Sequence, residues 1–90
     1  MDNGMFIDKC KSIIANYVNT HLDKSDDIQL TKSDVYVVWC CKILQNNKGL
    51  FSTTLYDGMY YEITYNGDED EVYVDAYKKW ENMEIQEFNK

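Results

Sequence analysis

Turn punctuation constrains this chain more than any other feature. Between residues 46 and 70 three turn signals recur: Asn46-Asn47-Lys48-Gly49, Asp57-Gly58, and Asn66-Gly67 followed by Asp68-Glu69-Asp70. Gly and Asn tolerate the left-handed backbone that tight reversals need, and Asp-Gly is a strong short hairpin signal. The intervals between the turns are short, β-branched and aromatic. Residues 50–56 (LFSTTLY) and 59–65 (MYYEITY) are too short for helices and read as strands, with Met59, Tyr61, Ile63 and Tyr65 on one face. Strands joined this way pair with their sequence neighbours, so the pattern predicts an antiparallel meander. In the first turn, Gly49 suits a left-handed position.

Residues 34–45 (DVYVVWCCKILQ) read as another strand. Alternation puts Val35, Val37, Trp39, Cys41 and Ile43 on one face and Tyr36, Val38, Cys40, Lys42 and Leu44 on the other. Both faces are largely apolar, which predicts a central strand or one covered on both sides. Thr31-x-x-Asp34 also fits a capping box, the start signal of a helix.

Residues 4–22 read as an amphipathic helix. Phe6, Cys10, Ile13, Ile14, Tyr17, Val18 and His21 recur at helical spacing, while Lys9, Lys11, Ser12, Asn16 and Asn19 take the other face. Asp2 or Asn3 supplies the N-cap. Residues 23–27 (DKSDD) form a polar loop, and 28–32 a short connection. At the other end, residues 71–76 alternate as a strand. Yet Val72, Tyr73, Ala76, Tyr77, Trp80 and Met83 also share a helical stripe behind a run of acids. The expectation is a strand over 71–76 passing into a short C-terminal helix at about 77–83, with fraying beyond Ile85. The fold class is α+β: an N-terminal helix on an antiparallel meander of three to four strands, in a single small domain spanning residues 1–90.

Charge narrows the function classes. The chain has nine Lys, no Arg and 16 Asp plus Glu, a net charge of −7. A duplex-DNA binder needs clustered cations to displace counterions from phosphates, so direct duplex binding is not expected. No apolar run approaches the ~18 residues of a membrane span, and no charged-then-apolar leader opens the chain. Neither a membrane protein nor a secretory precursor is expected. The three cysteines are odd in number and two are adjacent, a pattern of free thiols in a reducing compartment rather than a disulfide scaffold.

Few motifs carry chemistry. Cys10, His21, Cys40 and Cys41 lack the Cys-x2–4-Cys or His-x3–5-His spacing of zinc sites, and adjacent cysteines on a strand point to opposite faces. Cys10 and one of the pair read instead as small core hydrophobes. The acids of residues 68–71 lack the alternation and glycine of an EF-hand loop and read as a solvated turn. Ser52, Thr53 and Thr54 sit in a strand without a nucleophile elbow, and the four glycines form no phosphate loop. A carboxylate pair drawn from Asp57, Glu62 or Asp75 is left open, but the residues speak more against an enzyme than for one, and no cofactor or metal is expected. The six tyrosines from Tyr56 to Tyr77 read in three ways: cover for the core, a protein interface, or a stacking platform for ligands or bases.

The stretches VYVVW, K-x-LQNNK, LFSTTLYDGMYYEITYNGD and VDAYKKWEN, with the helical N-terminus, resemble a small uncharacterised family of phages and prophages of low-GC Gram-positive bacteria. Lys without Arg, eight Asn, eight Tyr and no Pro agree with AT-rich coding. The resemblance implies a host-cytoplasmic setting and carries no site residues. The leading expectation is a phage accessory protein, an interaction module that acts on a host or phage protein. That partner is expected to include basic nucleic-acid-binding proteins, because an acidic surface imitates nucleic acid toward a basic groove. Asp68, Glu69, Asp70 and Glu71 are the candidate contributors, with Tyr60, Tyr61 and Trp80 as anchors. The alternatives are a ligand binder or enzyme with its pocket at a homodimer interface, and a structural module that dimerises through a sheet edge or the helix.

Overall fold

The computed structural model describes residues 1–22 and 28–87. The expected loop at 23–27 and the end of the fraying tail, 88–90, lie outside the described residues. Helix α1 spans Asn3–His21. A single 3-10 turn, Lys32–Asp34, leads into four strands: β1 (Val35–Ile43), β2 (Asn46–Thr53), β3 (Met59–Asn66) and β4 (Glu71–Lys78). They form one antiparallel sheet in the order β1-β2-β3-β4. The α+β meander expected from the turn signals is the observed fold.

Helix α1 starts where Asp2 accepts a hydrogen bond from the Met5 N–H at 2.8 Å, satisfying one orphan donor of the first turn. Phe6, Cys10, Ile14, Ala15 and Val18 form its buried stripe. They pack on Val35, Phe51, Tyr61 and Ile63 from the sheet, with Leu30 closing one end of the core. The Phe6 and Phe51 rings meet with centroids 6.4 Å apart. Burying each large apolar side chain contributes about 1.5–3 kcal/mol, so this contact layer dominates the fold's stability. The shared face Met59, Tyr61, Ile63 and Tyr65 is the helix-facing side of β3.

Several expectations are corrected. The first hairpin reverses at Leu44-Gln45, with Leu44 taking the left-handed conformation (φ 54°), and not at residues 46–49. Gly49 lies inside β2, opposite Cys40 and Ile63. Its role is space: a Cβ there would stand 2.8 Å from the Phe51 ring. The core selects against a side chain at Gly49, so β2 begins earlier than turn propensity suggests.

Strand β1 is an edge strand, not a central one, and only one of its faces is covered. A register shift between Val37 and Trp39 also breaks its alternation. Val35 and Val37 face the helix. Beyond the bulge Cys40 faces it, while Trp39 and Cys41 turn outward. The Thr31-x-x-Asp34 signal is real but local: the Thr31 N–H donates to the Asp34 carboxylate at 2.9 Å and caps one 3-10 turn. The β-branched run that follows then takes over as strand.

No helix forms at 77–83. Strand β4 runs through Lys78, and no helix follows among the described residues. Each residue from Glu71 to Lys78 has a partner on β3, and these backbone bonds decide between two side-chain periodicities that both fitted.

Candidate surface on the open face of the sheet

The molecule is only 19 Å across its thinnest dimension, the depth of one helix layer on one sheet layer. Helix α1 covers one side of the sheet, and among the described residues nothing covers the other. Register defines the rows of that open face. Tyr36, Ser52, Tyr60 and Tyr77 form one row across all four strands. Trp39, Leu50, Glu62 and Asp75 form the next, and Cys41, Lys48, Thr64 and Tyr73 the third. Tyr36, Trp39, Tyr73 and Tyr77 are exposed, and Leu50 and Tyr60 half-buried. Lys48 and Glu62 pair across β2 and β3 at 3.5 Å. The result is an aromatic patch around Leu50, with an ion pair and Asp75 beside it.

Sequence expectation and structure part company over the candidate anchors. Tyr61 is 2 % exposed and belongs to the core, where its ring meets Tyr17 edge-on at 5.8 Å. Burial, then Asp57 and Tyr17, raises its phenol pKa, which keeps the ring neutral. A partner cannot reach Tyr61 without unfolding the sheet. Tyr60, its neighbour, faces outward. Trp80 is 96 % exposed just beyond β4.

The acids of residues 68–71 cap the opposite end of the β3–β4 hairpin. Tyr60 pairs with Tyr77 and Asn66 with Glu71, so six residues, about 20 Å of strand, separate the acids from Tyr60. Within one chain they do not form a joint site. The acidic turn is built by its own hydrogen bonds. Asn66 Oδ1 accepts from the Asp68 and Glu69 N–H groups at 3.1 and 3.4 Å, and the Tyr65 hydroxyl donates to Asp70 at 3.0 Å. The Tyr73 hydroxyl donates to Glu71. Both tyrosines hold their protons more tightly because a carboxylate accepts each hydroxyl.

The thiols differ by environment. Cys10 is buried, Cys40 half-buried and Cys41 exposed, all three free. Burial, and then the neighbouring Cys40, pushes the Cys10 thiol up to about 12. The fold places Cys10 under the helix and His21 at the helix's exposed end, its Nδ1 donating to the Tyr17 carbonyl at 2.8 Å. Among the described residues, no cluster of three or more His, Cys, Asp and Glu is placed to hold a metal ion. No described helix is long and apolar enough to cross a membrane.

A concavity of about 520 Å³ opens at the β2–β3 loop between Tyr36, Tyr56 and Tyr60. Among the described residues, Lys79 is the one charged side chain in its lining. Sequence reasoning missed the aromatic rows as a unit. Combining the period-2 alternation of each strand with the meander order would have aligned Tyr36, Tyr60 and Tyr77.

The architecture defines a two-layer α+β domain with an uncovered, aromatic sheet face. The chain belongs to a family of unknown function, DUF6275, whose model matches residues 7–87. No curated protein and no solved structure is similar to it.

Proposed function

We propose that this chain is a non-catalytic protein-interaction module and that its working surface is the open face of the sheet. The observation that carries this reading is the alignment of Tyr36, Trp39, Tyr60, Tyr73 and Tyr77 on one uncovered face, around Leu50. Tyr and Trp bring large contact area at low entropy cost, and their clustering marks contact surfaces rather than ordinary solvated ones. The adjacent Glu62 and Asp75, with net charge −7 overall, favour a partner with a basic rim. The resemblance to phage and prophage proteins of low-GC Gram-positive bacteria supports an accessory role in the host cytoplasm, toward a host or phage protein.

Photo-crosslinking tests the surface directly. A benzophenone side chain at position 39 or 77 is expected to capture a specific protein in host extract, and one at Asn16, on the outer side of α1, is not. The captured protein should then bind the purified chain and lose affinity on Trp39→Ala with Tyr77→Ala. Equal capture from position 16, or binding unchanged by that double substitution, overturns the reading.

A further inference from the structure

Strand β4 is unusual in its exposure. All eight residues, Glu71–Lys78, are exposed, although Val72, Val74 and Ala76 lie on the side of the sheet that carries the core. Helix α1 covers the other strands and stops short of this one. Val72 and Val74 keep 47 % and 38 % of their surface in water. The strand has no Pro, no bulge and an unbroken register with β3. A long edge without a bulge, apolar at Val72, Val74 and Ala76, is a template for another strand.

The direction of its free hydrogen-bonding groups follows from one contact. The Lys79 N–H donates to the Gly58 carbonyl at 2.7 Å, on the β3 side. Backbone groups alternate sides along an antiparallel strand. Tyr77, Asp75 and Tyr73 therefore also bond inward, and Val72, Val74, Ala76 and Lys78 turn their N–H and C=O groups to the open edge. Those are the residues whose side chains lie on the helix side.

We propose that two copies of this chain pair antiparallel, β4 against β4, about a two-fold axis at Val74. The complementarity of the strand with itself selects a second copy over a foreign strand. In this register Val74 opposes its own counterpart and Val72 opposes Ala76, so apolar meets apolar on the helix side. Tyr73 stands beside Asp75 and Tyr77 beside Glu71 on the open side, and no like charges face one another. At the strand end Lys78 comes opposite Asp70, and just beyond it Lys79 comes opposite Glu69. The acids sit at one end of the hairpin and the lysines at the other, so an antiparallel pair sets each cluster against its opposite. Shifting the register by two residues puts Asp75 on Asp75 and Val72 on Lys78 in one direction, or Glu71 on Asp75 in the other, and loses this match. The pairing also sets Trp80 of one copy beside the acidic turn of the other, two features that a single chain holds apart. It leaves the open face free, so it stands independently of the proposed function.

Sedimentation equilibrium over a range of concentrations, with native mass spectrometry, tests the pairing. The 10.7 kDa chain is expected to dimerise with a Kd on the order of micromolar, the strength suited to a small interface. Val74→Pro removes only an outward N–H, which an edge strand tolerates, and should give a monomer with unchanged circular dichroism. Lys78→Glu with Lys79→Glu, both on the surface, should weaken the dimer by roughly tenfold or more. Mixing that chain with one carrying Glu69→Lys and Asp70→Lys should restore pairing as a heterodimer. A chain that stays monomeric up to about millimolar concentration overturns the proposal. So does a dimer that the lysine reversal leaves unchanged, or a mixture that forms no heterodimer.

Discussion

The Asn19 side-chain amide and the Leu30 backbone exchange two hydrogen bonds: Nδ2 donates to the Leu30 carbonyl at 2.9 Å and the Leu30 N–H donates to Oδ1 at 2.7 Å. A side chain thereby acts as a short strand partner for the returning chain. It holds Leu30 in the core, at 5 % exposure, and sets where β1 begins five residues later. Asn19→Ala strands both Leu30 groups, each half-shielded from water. We expect a loss of about 1–3 kcal/mol, read as a lower urea midpoint at unchanged slope. Asn19→Asp keeps the acceptor and loses the donor, so its midpoint should fall between the two.

Thiol reactivity should rank with exposure. In the native chain, Ellman's reagent is expected to modify Cys41 quickly, Cys40 more slowly and Cys10 only after unfolding. Peptide mapping after timed alkylation assigns the order. Rapid labelling of Cys10 in the folded chain would contradict the burial of the helix stripe.

The same thiol produces an alkaline limb in stability. Its pKa is raised from the ordinary 9.0 to about 12 in the fold. Below pH 9 both states hold the proton and Cys10 makes no pH-dependent contribution. Above it the unfolded chain releases the proton and the folded chain does not, so stability falls by up to about 1.4 kcal/mol per pH unit. Tyr61 is shifted in the same direction and adds to the loss above its ordinary 10.0. Cys10→Ala should flatten the stability curve between pH 9 and 10 and make the later fall, then carried by Tyr61, shallower.

How much of this was legible beforehand depends on the kind of interaction. The amphipathic stripe from Phe6 to Val18 and the shared face of β3 follow from side-chain periodicity alone, and the meander from the turn signals between the strands. What periodicity cannot supply is where a long-range contact overrides it. Gly49 has the chemistry of a turn residue, but the Phe51 ring needs the room its missing Cβ leaves, so Leu44 and Gln45 make the turn. Tyr60 and Tyr61 look equivalent in the sequence. A helix on one side only makes one a surface residue and the other core. Chemistry groups the acids of residues 68–71 with Trp80, and register places them at opposite ends of one hairpin.

The two turns at that end of the sheet depend on each other. The Gly67 N–H donates to Asn46 Oδ1 at 3.1 Å, and a Cβ at Gly67 would collide with the Gln45 carbonyl. Gly67→Ala therefore forces the first and third turns apart. We expect about 1–3 kcal/mol of destabilisation by thermal unfolding, with amide exchange faster in both turns. Gly58→Ala has open space around its Cβ and is penalised only for its φ of +71°, about 1–2 kcal/mol. Its exchange effect should stay within the β2–β3 loop.

The tyrosines offer a sharp test of which face is core. Tyr61→Ala opens a cavity beneath α1 and should cost about 3–5 kcal/mol, as large aromatic truncations do. Tyr77→Ala, one strand over and facing outward, should change stability by less than about 0.5 kcal/mol. The comparison separates folding from surface use, because a side chain used only for contact leaves the unfolding midpoint where it was. Equal costs at the two positions would mean that the outer face is packed against something in solution, and the midpoint of the Tyr77→Ala chain would then depend on protein concentration.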